Sequence, residues 1–201
     1  MFSKESDTKT RGYQTQKKLL SVAAQLFKKN GYQATSMQAI ADALNIKKGS
    51  LYYYIRSKED LLYKLAKTSL EQLLNEARQI SEKDATPEEK IDQFIKRHLK
   101  LIAENIDLFT VSLRETNEIN MKSYWPEIVD LRDRYENILR GILKQGQEEK
   151  TFKDYEEKII GFSLLGMSNW LIRWYQPKSD KDIEYIAHIW SDIFFNGIKT
   201  K

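Results

Sequence analysis

Only three prolines and eight glycines punctuate the 201 residues of this chain. The prolines stand where helices begin or end. Pro87 follows Thr86 and precedes Glu88-Glu89, so Thr86 can cap a helix, Pro87 opens it and Glu89 can close a capping box. Pro126 suits the first turn of another helix, and Pro177 closes one. Between these stops Lys, Leu, Ile and Glu abound, all but Ile strong helix formers. No alternation of apolar and polar residues is long enough to insist on a strand. The chain is therefore restricted to an all-α fold.

Apolar spacing predicts a first helix over about residues 14 to 30, through Leu19, Leu20, Val22, Ala23, Leu26 and Phe27. Asn30-Gly31 stops it. Ser36 caps a second helix from Met37 to Leu44, ended by Asn45. A third runs from about Lys48 to Ile55. Ser57-Lys58-Glu59-Asp60 opens a long fourth helix to about Ile80, with acids in its first turn. The fifth runs from Pro87 to about Ala103, and the sixth from Ile106 to Glu115. Thr116 to Lys122 reads as a loop. The seventh starts at Pro126 and reaches about Gln147, and the eighth runs from Asp154 through Tyr175. Ser179-Asp180 starts the last, which ends at Asn196-Gly197. That makes about nine helices without an internal repeat. The first three are short and compact, which divides the chain into residues 1–57 and 58–201.

The chain has no cysteine, so disulfides, thiolate metal sites and cysteine nucleophiles are excluded. Its first residues, MFSKESDTKTRGYQTQKK, contain no apolar signal region, and no run approaches the roughly 18 apolar residues of a membrane span. A soluble, cytoplasmic protein is expected. Charge is unevenly placed. Residues 1–58 hold eleven Lys and Arg against three acids, whereas the remainder holds 22 against 26. A basic first quarter on an acidic body suits a polyanion partner for that quarter.

Two short helices joined by a tight link, the second rich in donors, form a helix-turn-helix arrangement. Lys47 and Lys48 offer charge to phosphates and donors to guanine edges. Gly49 allows close backbone approach, and Ser50 can bond a phosphate or a base. Leu51 and Ile55 lie four apart and share a face assigned to the core. Tyr52, Tyr53 and Tyr54 follow at about 100° steps and sweep around the rest of the helix. Their rings can pack on sugar and their hydroxyls can bond to phosphate or base edges. Alternatively, Tyr52 and Tyr54 are partly buried structural rings. Lys58 and the start of the fourth helix could together hold one phosphate.

Residues 18–62 resemble the DNA-binding region of the tetracycline-repressor (TetR) family of bacterial regulators. The likeness rests on Ala23-Ala24, Leu26-Phe27, Gly31-Tyr32, Thr35-Ser36, Ile40-Ala41, Leu44, Gly49-Ser50-Leu51-Tyr52-Tyr53-Tyr54-Ile55 and Ser57-Lys58-Glu59-Asp60-Leu61. The family often has His at Tyr54 and Phe at Ile55. The resemblance implies DNA contacts at Ser36, Lys47, Lys48, Gly49, Ser50, Tyr52, Tyr53, Tyr54 and Lys58. It also implies an all-helical fold and a homodimer formed as a four-helix bundle from the last two helices of each subunit.

Those last helices are unusually aromatic, with Phe162, Trp170, Trp174, Tyr175, Tyr185, Trp190, Phe194 and Phe195. Gly161 and Gly166 would let a neighbouring helix approach closely. Trp170, Arg173 and Trp174 share one side of a helix at i, i+3 and i+4. They could hold a ligand anion between rings or stack at a dimer interface. Asn169, polar in an apolar helix, needs a partner.

Together with Leu113-Arg114-Glu115, the helix from Trp125 and Arg132-Asp133-Arg134-Tyr135, the stretch Gly166–Pro177 resembles one branch. Its members repress fatty-acid degradation and related sterol or phenylacetate catabolism, and they leave DNA on binding acyl-coenzyme A thioesters. That likeness covers roughly residues 94–178. It implies an acyl-coenzyme A effector in an apolar tunnel lined by Phe94, Leu101, Phe109, Leu113, Leu131 and Met167. Arg97, Arg114, Arg132 and Arg173 are candidates for the coenzyme phosphates, with Asn169, Trp170 and Trp174 nearby. Each apolar residue could equally be plain core.

The two histidines, His98 and His188, have no metal-ligand spacing, and no phosphate loop or GxSxG is present. His98, flanking an apolar face, reads as a satisfied structural residue. The expected function is a DNA-binding regulator, not an enzyme, with no cofactor. Two alternatives remain open: a regulator of the same fold sensing another hydrophobic ligand, as in drug efflux control, and a ligand-independent DNA-bound adaptor.

Overall fold

A computed structural model of the chain describes residues 3–176 and 182–200, with side chains from Thr15 onward. Pro177, Ser179 and Asp180 lie outside the described residues. Among those described there are nine α-helices and one isolated β-bridge, Phe152 with Lys199. The helices are α1 Ser3–Asn30, α2 Met37–Ala43, α3 Lys48–Leu51, α4 Lys58–Ser81, α5 Pro87–Glu104, α6 Ile106–Glu115, α7 Trp125–Glu148, α8 Glu157–Asn169 and α9 Ile183–Ile198. The all-α expectation holds. α1 begins well before residue 14, because its polar first turns carry no apolar stripe for spacing to reveal.

Two compact units form. The first takes in residues up to Thr68 and Asp107–Pro126; the second takes in Ser69–Ile106 and the residues from Glu127. The first therefore extends past the 57/58 division read from the sequence. The physical reason lies in the opening turns of α4. Leu61, Leu62 and Leu65 are fully buried, as are Leu19, Phe27, Ile40, Leu51 and Ile55 of the same unit.

In the first unit, α1 ends at Gly31, whose φ of +84° is the left-handed region where a Cβ is unwelcome. The buried Thr35 hydroxyl donates to the Gly31 carbonyl at 2.8 Å, and the Tyr32 ring meets Phe27 edge-on at 5.3 Å. At the start of α4, Ser57 Oγ accepts from the Asp60 amide at 3.0 Å. The Asp60 carboxylate, itself buried, accepts from the Arg56 amide at 2.8 Å and the Lys64 ammonium at 3.0 Å. The expected cap at Ser57 is thus present in a variant form. The loop read at Thr116–Lys122 is non-helical. Asn117 Oδ1 accepts from the Asn120 amide, and Tyr124 stacks on Tyr63 at 4.1 Å.

In the second unit the capping box at Thr86 forms as the sequence predicts. The Glu89 amide donates to Thr86 Oγ1 at 3.2 Å, and the Thr86 amide donates to Glu89 Oε2 at 2.9 Å. Those bonds to its charged form hold the Glu89 carboxyl below its ordinary range. α5 buries Ile91, Phe94, Ile95, His98, Leu99 and Ile102 along one face. Among the glycines whose surroundings are described, Gly146 is the one that packing demands: a Cβ there would overlap the buried Phe152 ring. Gly161 and Gly166 do not serve that purpose within one chain. A Cβ on Gly161 would meet Leu139 and Arg140 at ordinary contact distances, and Gly166 faces open space.

α8 stops at Asn169 instead of continuing to Tyr175. A 3-10 turn, Trp170–Arg173, follows, with Leu171 buried and its carbonyl accepting from the Trp174 and Tyr175 amides. A 3-10 turn eclipses residues i and i+3, so Trp170 and Arg173 superpose, with the guanidinium 5.8 Å from the ring centroid. Trp174, the residue after the turn, meets Trp190 of α9 edge-on at 6.4 Å.

Candidate nucleic-acid interface and effector region

Ser36 is the N-cap of α2. Its Oγ accepts from the Ala39 amide at 3.0 Å, which leaves the exposed hydroxyl a proton to donate. α2 ends in a Schellman motif. Asn45 sits at φ +55°, its amide donating to Asp42 O at 2.9 Å, and the Ile46 amide reaches Ala41 O at 3.0 Å. This left-handed residue turns the chain from α2 into α3. Asn45→Val should cost about 1–2 kcal/mol of stability, because a β-branched side chain is strained there, while Asn45→Gly should be tolerated. Urea unfolding of the two variants checks this; equal midpoints would mean the turn does not depend on the conformation.

α3 is shorter than the helix expected to reach Ile55. Past Leu51 the chain tightens: the Tyr53 and Tyr54 amides donate three residues back, to Ser50 O and Leu51 O. The Ile55 amide still reaches Leu51 O, four residues back, at 3.3 Å, which keeps Leu51 and Ile55 on one face. Leu51 and Ile55 are 0% and 2% exposed, as the core assignment requires, whereas Tyr52 is 47% and Tyr53 88% exposed. Lys47, Lys48 and Gly49 are exposed beside them, and Ser50 is half-buried. Tyr54 is also half-buried and lines a groove of about 400 Å³ with Lys18, Leu19, Leu44, Ile46 and Leu51. Tyr54 is thus the partly covered ring of the three, whereas Tyr52 is exposed.

Lys58 is engaged within the first unit. Its ammonium donates to Tyr32 O at 3.0 Å and Gln33 O at 3.1 Å, and lies 4.5 Å from the Tyr32 ring centroid. Two of three protons are spent tying the start of α4 to the loop before α2.

In the second unit the principal polar site joins three helices. His98 of α5 lies between Tyr135 of α7 and Asn169 of α8. Because Asn169 Oδ1 only accepts, His98 Nε2 carries the proton and donates at 3.1 Å. Nδ1 then accepts from the Tyr135 hydroxyl at 2.7 Å. Phe94 stacks on Tyr135 at 5.1 Å. Burial pushes the His98 pKa down to about 4 and the Tyr135 phenol well above its ordinary value, so both are neutral. Asn169 thus finds the partner it needed, and His98 is satisfied. Tyr135 is the member sequence reasoning did not pair with them. No local spacing joins it to His98, 37 positions earlier.

The other effector candidates belong to both units. Phe94 and Leu131 are buried in the second unit and Phe109 in the first, with Leu101 half-buried. Leu113 and Arg114 are exposed on α6 instead of facing an enclosed space. Met167 lines an open groove of about 550 Å³ between α8 and α9, beside Tyr155, Ile159, Ile193 and Phe194. Trp170, Arg173 and Trp174 are exposed. An apolar stripe runs along this surface. Ile159 and Phe162 on α8, and Tyr185, Ile189 and Ile193 on α9, are all substantially exposed.

No described helix is long and apolar enough to cross a membrane, and no described group of His, Asp and Glu residues could hold a metal ion.

Two family models match the chain: "Bacterial regulatory proteins, tetR family" over residues 19–65 and "Tetracyclin repressor-like, C-terminal domain" over residues 84–198. The crystal structure of PfmR, a TetR family transcriptional regulator from Thermus thermophilus, is 32% identical with a TM-score of 0.80. It covers 89% of this chain and 97% of that one. The fatty acid metabolism regulator protein of Bacillus subtilis (strain 168) is 24% identical over 185 residues, 91% of this chain and 95% of its own. AibR, solved in complex with isovaleryl coenzyme A and operator DNA, is 24% identical with a TM-score of 0.79, covering 90% and 98%. The family models span the helix-turn-helix and most of the second unit, and this chain belongs to the tetR family of bacterial regulatory proteins, DNA-binding regulators of transcription.

Proposed function

We propose that the protein is a repressor that binds a pseudo-palindromic operator as a homodimer and is released by an acyl-coenzyme A thioester. The observation that carries the DNA reading is the α3 region, where Lys47, Lys48, Gly49, Tyr52 and Tyr53 stand exposed over the buried Leu51 and Ile55. Lys48 and Tyr53 are the proposed base or phosphate readers, Ser36 and Ser50 donate hydroxyls, and Tyr54 and Lys58 support the head from behind. Lys48→Ala or Tyr53→Ala should weaken operator binding by about 1–3 kcal/mol each if the residue reads a base. Fluorescence anisotropy with an operator selected from random DNA measures this. Wild-type affinity in both variants removes the assignment.

The exposed stripe on α8 and α9 supports the dimer, which would set two heads about one DNA turn, ~34 Å, apart. The names of the relatives support the effector class: one regulates fatty acid metabolism, and another was solved with an acyl-coenzyme A and operator DNA. α4 contributes residues to both units, so a ligand that shifts it would change the spacing of the heads; this requires displaced heads in the liganded dimer. Palmitoyl- or phenylacetyl-coenzyme A at a hundredfold excess over its Kd should stabilise the protein by about 2.7 kcal/mol. A melting temperature unmoved by every thioester tested removes the acyl-coenzyme A reading and favours another hydrophobic ligand or an adaptor.

A further inference from the structure

The second unit carries a basic groove of its own. Lys96, Arg97 and Lys100 on α5 face Ile183, Glu184, Ala187 and His188 on α9 across a cleft of about 480 Å³. That volume falls within the ordinary range of small-molecule sites. Three permanent cations line it against one carboxylate. Its apolar surface comes from the half-buried Ile183 and the aliphatic stems of the cations. The seam is fixed from both helices: Ser191 Oγ of α9 donates to Asp92 Oδ1 of α5 at 2.8 Å, and the other Asp92 oxygen pairs with Lys96 at 2.6 Å.

The cations are not all engaged. Arg97 meets Glu76 through Nε alone, at 3.5 Å, and both partners are partly exposed, so the terminal nitrogens of its fork remain for an incoming anion. Lys100 makes no ion pair or hydrogen bond among the described residues. Single exposed lysines are usually solvated charge. Convergence over a concave surface that is apolar in part is a different arrangement, matched to a ligand that joins phosphates to a flat apolar ring.

We propose that this groove holds the phosphorylated nucleotide end of the acyl-coenzyme A effector. The phosphates lie on Arg97 and Lys100, and the adenosine lies against Ile183. The proposal rests on the acyl-coenzyme A reading above. It adds a head-group site in which the acyl chain has no part, so unacylated coenzyme A should bind too.

Isothermal titration calorimetry of the full chain at physiological salt tests it, with coenzyme A, palmitoyl-coenzyme A and ATP as probes. The expected result is that wild type binds coenzyme A, and that Arg97→Glu/Lys100→Glu weakens both coenzyme A and its palmitoyl ester by about tenfold or more, the scale of one lost charge-assisted bond. Both positions are exposed, and an unchanged melting temperature confirms that the variant folds. If the double variant binds palmitoyl-coenzyme A as wild type does, the groove is not the head-group site although the effector reading stands. If wild type binds neither thioester nor coenzyme A, the effector reading falls and this site with it. ATP binding as tightly as coenzyme A overturns the assignment to that ligand.

Discussion

Ile193→Asp should leave the protein monomeric and reduce its operator affinity by about 10²–10⁴-fold, the gain that linking two binding modules typically gives. Ile193 is 57% exposed on α9, in line with Tyr185 and Ile189 at four-residue intervals, and it borders the open groove that also contains Ile159 and Met167. An isolated chain leaves this row against water. A two-fold partner would present the same row in return, because an isologous interface meets itself. An aspartate in that row would desolvate two unpaired charges, one from each subunit, a penalty that truncation to alanine would not impose. Sedimentation velocity measures the oligomeric state, and anisotropy measures operator binding. A dimer that survives Ile193→Asp would mean that the subunits associate elsewhere. A monomer that still binds the operator tightly would mean that one head suffices.

What the sequence made legible follows from how local each signal is. The cap at Thr86 and the cap at Ser36 depend on residues three apart, and both form. Leu51 and Ile55 depend on one helical turn, and both are buried. The exposure of Tyr53 follows from those two, since a residue opposite a core face has nowhere else to point. Other features depend on contacts that no local pattern shows. Lys58 lies beside the loop carbonyls of residues 25 and 26 positions earlier, and its ammonium bonds to both. Gly146 is required by a ring six residues on that returns against it beyond a turn. The 3-10 turn at Trp170–Arg173 follows from a tightening at the end of α8 that spacing alone does not report. His98, Tyr135 and Asn169 stand 37 and 71 positions apart, and no local pattern joins them.

That polar relay gives the second large prediction: the protein should lose roughly 3 kcal/mol of stability between pH 6.5 and pH 4 through His98 alone. In the folded chain His98 is buried and neutral, with a pKa of about 4, against an ordinary value of 6.5. The unfolded chain therefore takes up a proton below pH 6.5 that the folded chain refuses until about pH 4. Stability rises with pH wherever the unfolded state binds more protons, so this contribution is complete above pH 6.5 and is lost as pH falls to 4. About 1.4 kcal/mol per pH unit across that interval gives the magnitude. Protonation would also turn Nδ1 from acceptor to donor opposite the Tyr135 hydroxyl, and the hydrogen bond could persist only if that hydroxyl rotated. Carboxylates titrate near the lower end of the same range, so the measurement is a comparison. Urea unfolding of wild type and His98→Gln at pH 7, 6, 5 and 4 should give a steeper loss for wild type, while the variant starts less stable at pH 7. Parallel pH profiles would show that His98 exchanges its proton freely in the folded chain, and the buried relay among α5, α7 and α8 would then have to be open to water.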